Sequence, residues 1–300
     1  MNPCKALRQR LLPGQFSSIA GAYDMLSARL AVQAGCEVLH VGGYNLSAVR
    51  LGQPDVGLLT LSENVEMAGR IAASTDVPVI ADGDDGYGNH LNVDRLIREL
   101  ERAGLAGVHL EDQVFPKRCG HMAGKRVVPA ALMVDKIRAA VDARRNADFV
   151  IIARTDALAT ESFEAVLERA GAYREAGADM LFIEAPRNND EVARIPQAVN
   201  APTLFNWCLG GLSPTPEVAE VKRLGYSMIL FTDVLFAVAP MLARLYEDIA
   251  AGRGYGPRTT EMMGVGAFNE MIGLSRIEAL DRRYGRHEDP GAAPDDARTH

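Results

Sequence analysis

The stretch Val108-His109-Leu110-Glu111-Asp112-Gln113 is an apolar run that ends in two adjacent carboxylates, and Phe115-Pro116-Lys117-Arg118-Cys119-Gly120-His121-Met122-Ala123-Gly124-Lys125 follows it closely. The first segment predicts a buried parallel strand, and the second predicts a basic, glycine-containing loop at its C-terminal end. This end of the strands is where α/β proteins place their chemistry. The cationic neighbours of Cys119 would lower the pKa of its thiol and prepare it for proton transfer. A packed internal cysteine in a basic turn is the alternative.

An αβ unit recurs along the chain. Four times a helical segment ends in Ala-Gly or Leu-Gly, and an apolar strand follows within a few residues; the strands are 38–41, 108–110, 180–183 and 228–231. Further strands are predicted at residues 16–22, 77–81, 149–153 and 202–205. Eight strands, each followed by a helix or by a loop and a helix, predict a (β/α)8 TIM-type barrel. A doubly wound open sheet is the alternative, because periodicity does not show closure.

The repeat stops after Gly252. Residues 1–252 are therefore predicted to form the catalytic barrel, with its last helix at about residues 234–250. Residues 253–285 are predicted to form a helical extension with one amphipathic helix at 268–284, and the polar residues 286–300 are predicted to be disordered. The extension carries apolar residues that have no place in the ring of barrel helices and should be covered by protein; they are Phe268, Met271, Ile272, Leu274, Ile277 and Leu280.

Composition narrows the class of protein. The chain has 300 residues, 48% of them hydrophobic, and a net charge of −7. It can bury a large core and has no basic face, which argues against nucleic acid or an anionic membrane as partner and favours a small molecule. We expect a cytoplasmic protein, because there is no apolar run of membrane-spanning length and no signal-peptide core. The cysteines lack metal-site spacing and are expected to be reduced; they are Cys4, Cys36, Cys119 and Cys208.

The third predicted strand leads into Ala81-Asp82-Gly83-Asp84-Asp85-Gly86-Tyr87-Gly88. Three acids within four residues repel one another unless a cation is present, and carboxylates with water suit Mg²⁺ or Mn²⁺. Glu111 of the neighbouring strand would complete or brace this site. Asp55, in the loop at residues 51–57, would reach the same site or serve only as a turn residue. A turn in which an aspartate caps the next helix is the alternative, and both interpretations can hold at once.

Other predicted strand ends carry polar side chains that a purely structural barrel would avoid. Arg154 follows the fifth strand and suits a substrate carboxylate, because a guanidinium group binds a carboxylate through two parallel hydrogen bonds. A structural ion pair of Arg154 with Glu184 or Asp156 is the alternative. Strand six leads to Glu184 and strand seven to Asn206. After strand two, Gly42-Gly43-Tyr44-Asn45 would let backbone N–H groups approach an anion.

These motifs together resemble the isocitrate lyase and phosphoenolpyruvate mutase superfamily, in the branch that holds methylisocitrate and 2,3-dimethylmalate lyases. Lys117-Arg118-Cys119-Gly120-His121 is similar to the signature loop of that branch, and the similarity extends from about residue 16 to 284. The resemblance implies that Cys119 is catalytic, with Lys117 and His121 supplying positive charge. It also implies a homotetramer in which the C-terminal helix is exchanged between neighbouring subunits, whereas packing of that helix on its own barrel is the alternative.

The resemblance also assigns the remaining site residues. The implied magnesium site consists of Asp82, Asp84 and Glu111, with Asp55 one shell further out. The residues implied to bind substrate are Gly43, Tyr44, Arg154, Glu184 and Asn206. Two departures border the substrate tail: Leu209 replaces a glutamate common in the family, and the chain reads Phe231-Thr232-Asp233 where a proline and a small hydroxyl residue are usual.

The implied activity is Mg²⁺-dependent cleavage of a carbon–carbon bond in a 2-hydroxy dicarboxylate or tricarboxylate, such as 2,3-dimethylmalate or 2-methylisocitrate. A 2-oxo acid leaves, Cys119 protonates the carbanion, and the loop at residues 115–125 closes over the site. Hydrolysis or decarboxylation of oxaloacetate and phosphonate chemistry remain open within the superfamily. Outside the superfamily, the sequence also allows a class I aldolase with a Schiff base on Lys117 or Lys125, or a catalytically inactive barrel.

Overall fold

A computed structural model describes residues 2–285 of the chain. Contacts divide the protein into two units, a larger one that ends at Met241 and a smaller one that begins at Leu242. The larger unit contains all the strands of the described residues, and its core lies between the strands and the surrounding helices.

The eight strands form a closed parallel barrel in which each pairs with the next along the chain and the last pairs with the first. The predicted (β/α)8 barrel is confirmed, and the alternative of an open doubly wound sheet is wrong. The strands are β1 Ser17–Gly21, β2 Leu39–Val41, β3 Val79–Asp82, β4 Gly107–Glu111, β5 Val150–Thr155, β6 Met180–Ile183, β7 Thr203–Trp207 and β8 Met228–Phe231. The register of β4 and β5 puts Glu111 beside Arg154, at the C-terminal edge.

The helices follow from capping and from apolar spacing. Thr60 and Glu63 form a capping box at the start of one helix, and the helix after β3 buries Val93, Leu96, Ile97 and Leu100 along one face. The helices are α1 Pro3–Gln9, α2 Met25–Gln33, α3 Gly43–Leu46, α4 Leu61–Ala73, α5 His90–Arg102, α6 Ala130–Ala143, α7 Phe163–Glu175, α8 Asn189–Ala198, α9 Val218–Leu224, α10 Val234–Ala250, α11 Val265–Met271 and α12 Leu274–Tyr284. None of the helices in residues 2–285 is both long and apolar enough to cross a membrane.

Helix α1 lies against the N-terminal ends of the strands and was not predicted. Asn2 caps it, and Leu7 is fully buried next to Gly107 at the start of β4. Arg8 pairs with Asp179 at 2.5 Å and donates to the carbonyl of Phe149 at 3.1 Å. The asparagine cap followed by proline was the local signal for this helix.

The smaller unit contains the end of α10 and, after it, α11 and α12, where the sequence predicted one amphipathic helix at residues 268–284. That prediction is wrong in its continuity, because Gly273 has φ +99° and interrupts the helical backbone between them. Apolar side chains of both helices are exposed in the single chain, among them Phe268, Ile272, Leu274, Ile277 and Leu280. The predicted disordered tail, residues 286–300, lies outside the described residues.

Candidate active site

A cavity of about 250 Å³ opens at the C-terminal ends of the barrel strands. Most of the site residues predicted from the sequence line it; these are Tyr44, Asp55, Asp82, Lys117, Cys119, His121, Arg154, Glu184 and Asn206. Gly43, Asp84 and Glu111 lie directly behind that lining, where they contact its side chains. The structure therefore brings all the predicted residues together at one end of the barrel.

The first group of charges, called here the acid cluster, consists of Asp55, Asp82, Asp84 and Lys117. Lys117 Nζ lies 2.6 Å from Asp55 Oδ1 and 2.6 Å from Asp84 Oδ1. Burial alone would lower the pKa of Lys117, but the carboxylates outweigh it and hold this pKa well above its usual value. The expectation that Lys117 directs its charge to Cys119 is wrong, because the ammonium group turns to the acids. A charged Lys117 is also a poor nucleophile for a Schiff base.

The carboxylates of the acid cluster are not equivalent. Burial raises the pKa of Asp84 to about 7 against the opposing effect of Lys117. Burial would also raise the pKa of Asp82, but His109 and Lys117 outweigh it and the pKa falls below its usual value. Glu111, at the end of β4, has a pKa well above normal because it is buried, and its Oε1 has no hydrogen-bond partner.

Gly43 fits closely against the acid cluster. Its N–H donates to Asp82 Oδ2 at 3.0 Å, and a Cβ at this position would lie 3.0 Å from Asp84 Oδ1 and 3.2 Å from Lys117 Nζ. A residue with a Cβ here would require these side chains to shift by a few tenths of an ångström. The predicted carboxylate-binding turn is therefore occupied by a carboxylate of the protein itself, while the next residue, Tyr44, lines the cavity.

The second group, called here the arginine cluster, consists of Lys125, Arg154, Asp156 and Glu184. Arg154 Nε and Nη2 donate to the two oxygens of Asp156 at 2.9 and 3.2 Å, and Nη2 lies 3.2 Å from Glu184. Lys125 Nζ pairs with Asp156 at 2.9 Å. Burial would raise the pKa of Asp156, but Arg154 and Lys125 outweigh it and hold the pKa at about 2. The structural ion pair considered as an alternative for Arg154 is thus present.

Cys119 has the opposite electrostatic setting from the one expected. Burial raises the pKa of its thiol to about 11, and Asp55 adds to the increase. The expected lowering is wrong because Lys117 is paired with acids and Arg118 is exposed to solvent. At neutral pH the group is therefore a thiol that carries a proton, which suits an acid better than a nucleophile.

His121 lies opposite Glu184 and Asn206. Its Nδ1 accepts a hydrogen bond from the Leu212 N–H at 3.0 Å, so the ring proton is on Nε2, which lies 3.4 Å from Glu184 Oε1. Burial lowers the pKa of His121 although Glu184 opposes this. The expectation that His121 adds positive charge is wrong at neutral pH, where the ring is a neutral hydrogen-bond donor.

A buried pair, His40 and His109, lies beneath the acid cluster and was not assigned from the sequence. Their Nε2 atoms are 2.9 Å apart, and His109 Nδ1 is 3.5 Å from Asp82 Oδ1. Burial lowers the pKa of both rings, to about 3 for His40. Two neutral rings can form one hydrogen bond between their Nε2 atoms, and His109 Nδ1 then faces Asp82 without a hydrogen bond of its own. Histidines inside apolar strands were the available signal.

A family model for phosphoenolpyruvate phosphomutase matches residues 7–250, which is most of the chain and the whole of the cavity. The chain belongs to the phosphoenolpyruvate phosphomutase family. This confirms the resemblance that was drawn from the segment Lys117–His121 and the strand-end acids.

Two relatives and two solved structures show the range of the phosphoenolpyruvate phosphomutase family around this chain. The 2,3-dimethylmalate lyase of Eubacterium barkeri is 40% identical over 285 residues, covering 95% of this chain and 99% of the relative. The 2-methylisocitrate lyase of Escherichia coli strain K12 is 41% identical over 231 residues, 77% of this chain and 78% of the relative. An oxaloacetate acetylhydrolase in complex with the inhibitor 3,3-difluorooxalacetate has a TM-score of 0.89 and 34% identity, covering 95% and 99% of the two chains. A phosphonopyruvate hydrolase in complex with oxalate and Mg²⁺ has a TM-score of 0.86 and 29% identity, covering 95% and 100%.

The charges of this family member fit a divalent cation. The two clusters and Glu111 bring together six buried carboxylates and three buried cations; they are Asp55, Asp82, Asp84, Glu111, Asp156 and Glu184 against Lys117, Lys125 and Arg154. In residues 2–285, no three histidine, cysteine or acidic side chains converge closely enough to hold a metal on their own. This arrangement suits a hard ion that takes one or two carboxylates and completes its shell with water and substrate oxygens.

One wall of the cavity is mainly apolar, in contrast to the charged clusters. Tyr44 and Phe236 meet edge to face with ring centroids 5.8 Å apart, and Leu209 lines the cavity beside them. Asp233 Oδ2 accepts the Leu209 N–H at 2.9 Å, so a carboxylate also borders this wall. The departures noted in the sequence, Leu209 and Asp233, are therefore joined to each other at the cavity mouth.

Proposed function

We propose that this protein is a Mg²⁺-dependent carbon–carbon lyase that cleaves a 2-hydroxy dicarboxylate or tricarboxylate into a 2-oxo acid and a second carboxylate. The observation that carries the proposal is the meeting of a protonated thiol, Cys119, with Arg154 and the acid cluster around one cavity of about 250 Å³. The lyases among its relatives support this reaction class.

Asp82 and Asp84 would hold the metal, with Glu111 beside them and Asp55 one shell further out through Lys117. The excess of buried carboxylates and the unpartnered Glu111 Oε1 support this choice. When bound, Mg²⁺ would supply positive charge to the hydroxyl and carboxylate oxygens of the substrate, and Mn²⁺ suits the same oxygen ligands.

The side chains of the cavity provide the rest of the reaction. Arg154, whose Nε and Nη2 are held by its own cluster, would bind a substrate carboxylate through its remaining donor, Nη1. A carboxylate of the acid cluster would accept the hydroxyl proton as the carbon–carbon bond breaks. The electron pair of that bond passes to the leaving fragment as a carbanion conjugated with its carboxylate, and the thiol of Cys119 donates its proton to that carbon.

Glu184, Asn206 and His121 would orient the substrate at the opposite wall. Asn206 Nδ2 donates to Glu184 Oε2 at 3.2 Å, and the neutral His121 presents its Nε2–H to the same carboxylate. Because these groups hold one another, their polar atoms are fixed before the substrate arrives, which lowers the cost of ordering it. Gly43 and Tyr44 would complete the substrate pocket on the side of the acid cluster.

Asp233 and Leu209 favour a dicarboxylate over a tricarboxylate. A third substrate carboxylate directed to the cavity mouth would meet the Asp233 carboxylate, whereas an alkyl group there would contact Leu209, Tyr44 and Phe236. Like charges repel and apolar surface is favourably buried, so a 2,3-dimethylmalate-type substrate fits this wall better than 2-methylisocitrate.

Cleavage of oxaloacetate is the second candidate. The oxaloacetate acetylhydrolase structure aligns with 95% of this chain at 34% identity. A smaller substrate would fill less of the cavity, and the altered mouth residues are compatible with that. Phosphonate chemistry is less well supported, because the loop that carries Cys119 resembles the signature loop of the lyase branch.

A substrate panel tests the proposal. Purified protein with added Mg²⁺ is offered 2,3-dimethylmalate, 2-methylisocitrate, isocitrate, citramalate, oxaloacetate and phosphonopyruvate, and the products, including 2-oxo acids, oxalate and phosphate, are separated and measured. We expect the fastest release from the alkyl-substituted dicarboxylate and none after addition of EDTA. Turnover of oxaloacetate alone would select the second candidate, and phosphate release from phosphonopyruvate alone would contradict both.

We also propose a cytoplasmic homo-oligomer, a tetramer in which α11 and α12 are exchanged between subunits. The exposed apolar side chains of these helices support the exchange, and the four free thiols support a reducing compartment. Truncation after Gly256 followed by light scattering tests the assembly. Smaller or aggregated species are expected, and an intact oligomer of the original subunit number would contradict the exchange.

A further inference from the structure

Lys125 is the last residue of the loop at 115–125, and its side chain is buried between that loop and the end of β5. Its Nζ donates to the backbone carbonyl of Gly120 and pairs with Asp156 Oδ1 at 2.9 Å. The side chains of Lys125 and Asp156 are only 1% and 0% exposed. The ammonium group thus joins the middle of the loop to a strand end without access to solvent.

Asp156 extends this connection to Arg154. The same carboxylate accepts from Arg154 Nε and Nη2, so Lys125 and Arg154 share one acid. The Asp156 N–H donates to Asp112 Oδ1 at 2.9 Å, which fixes the backbone beneath it. A displacement of Lys125 would therefore remove one of two cations that hold the Asp156 side chain in position.

Gly120 is the contact on the loop side. A Cβ at this residue would overlap Arg154 Nη2 and Glu184 Cγ, so the loop backbone rests directly on that ion pair. Cys119 and His121 flank Gly120 in the sequence and both line the cavity. A shift of the Gly120 carbonyl would therefore move two side chains of the cavity lining relative to Arg154.

We propose that Lys125 is a positioning residue that latches the loop at 115–125 over the cavity and, through Asp156, aligns Arg154 with Cys119. A second anchor, the Cys119 N–H bond to the Asp55 carbonyl at 3.1 Å, holds the loop on the side of the acid cluster. Lys125 holds it on the side of the arginine cluster. The effect on turnover rests on the proposed lyase function, whereas the latch itself does not.

The variant Lys125→Met tests the latch, because methionine keeps the length and apolar volume of the side chain but removes its charge and donors. Trypsin reports on the loop, since Arg118 is exposed and the Arg118–Cys119 bond lies within it. We expect cleavage after Arg118, followed by mass spectrometry, to accelerate by at least about tenfold in the variant. The matched control is Lys222→Met on α9, an exposed lysine outside the cavity, which should leave loop cleavage unchanged.

Turnover gives the second readout. With the substrate that the panel selects, we expect Lys125→Met to lower kcat by at least about tenfold, because the thiol and Arg154 are no longer aligned. KM should stay within about threefold, because Arg154 keeps its own contacts with Asp156 and Glu184 and can still bind the substrate carboxylate. Loop cleavage and kcat both within about twofold of wild type would overturn the proposal. An inactive wild-type protein would instead overturn the proposed function, and the trypsin comparison would still decide the latch.

If Lys125→Met does not fold, two measurements replace it. Lys125→Gln keeps neutral donors and should show the same accelerated cleavage. In the wild-type protein, hydrogen exchange of the amides at 118–124 should be at least about a hundredfold slower than in an unstructured peptide. Exchange of these amides at the unstructured rate would overturn the latch.

Discussion

The acid cluster and the arginine cluster lie at the same end of the barrel, on either side of β4, and both combine buried acidic and basic side chains, but their charges are balanced differently. In the acid cluster, the ammonium group of Lys117 faces three carboxylates, and the pKa of Asp84 rises to about 7 because of burial. In the arginine cluster, two cations face two carboxylates, and Arg154 with Lys125 holds the pKa of Asp156 at about 2 despite burial.

The charges of the arginine cluster are balanced by the protein itself, whereas the acid cluster needs a further cation. The arginine cluster satisfies its own charges and can hold its geometry before any ligand binds. The acid cluster leaves carboxylate charge uncompensated, and the unpartnered Glu111 Oε1 lies between the two. Metal binding should therefore affect one side of the cavity much more than the other.

The largest expected effect is the loss of stability when one cation is removed from each cluster. Arg154→Met leaves buried carboxylates unpaired and should lower the free energy of unfolding by about 3–5 kcal/mol, with or without metal. Lys117→Met should lose a similar amount in EDTA but recover part of it in Mg²⁺, because the ion replaces the ammonium charge. Urea unfolding in the two conditions measures this. Equal recovery of both variants by Mg²⁺ would show that the clusters do not differ.

Cys119→Ser should have the next largest effect, a fall in kcat of at least about a hundredfold, as expected for loss of a general acid. The thermal unfolding midpoint should not change, because the substitution removes no ion pair. Cys208→Ser is the matched control, since this thiol lines the same cavity without an assigned role. A Cys119→Ser enzyme with near wild-type turnover would remove the proton donor from the mechanism.

Asp84→Ala should raise the Mg²⁺ concentration for half-maximal activity by at least about tenfold, because the acid cluster loses an oxygen ligand or the partner that orients one. Asp94→Ala on the surface of α5 serves as the control. Activity is titrated against metal in both variants. Full activity in EDTA, or an activation curve that does not move, would argue that the acid cluster binds no metal.

The alkylation rate of Cys119 should rise about tenfold for each pH unit below the thiol pKa, because only the thiolate reacts. A pKa raised to about 11 means that the folded protein holds the proton through neutral pH and loses it only as the pH rises toward 11. Iodoacetamide labelling of the tryptic peptide 119–125 is followed from pH 7 to 10. A rate that levels off near pH 8 would instead indicate a thiol whose pKa is lowered by its basic neighbours.

The fold could be predicted because strand burial leaves a direct record in the sequence. Apolar runs that end before charged residues predicted β6 and β8 at their observed bounds. The predicted last barrel helix, at about residues 234–250, also coincides with α10. Helix α1 was missed because its few residues carry a short apolar stripe, and its stability comes from contacts with Gly107 and Asp179. The break at Gly273 was missed because a single glycine is tolerated within many helical patterns.

The candidate site was predicted in its members but not in its electrostatics. Strand ends place residues at one rim, so Asp82, Glu111 and Arg154 could be grouped from topology alone. The direction of a long side chain depends on its neighbours in space. Lys117 therefore turned to the acids instead of to Cys119, and burial reversed the expected change in the thiol pKa.

Helix α1 has a consequence for the order in which the chain assembles. Its side chains bind partners far along the sequence: Cys4 contacts Leu105, 101 residues away, and Arg8 binds Ala147 and Asp179, 139 and 171 residues away. A segment whose partners are so distant gains nothing from docking until those partners exist, and closing such long loops is slow. Helix α1 can therefore reach its place only when β4, β5 and the residues that lead into β6 have been made.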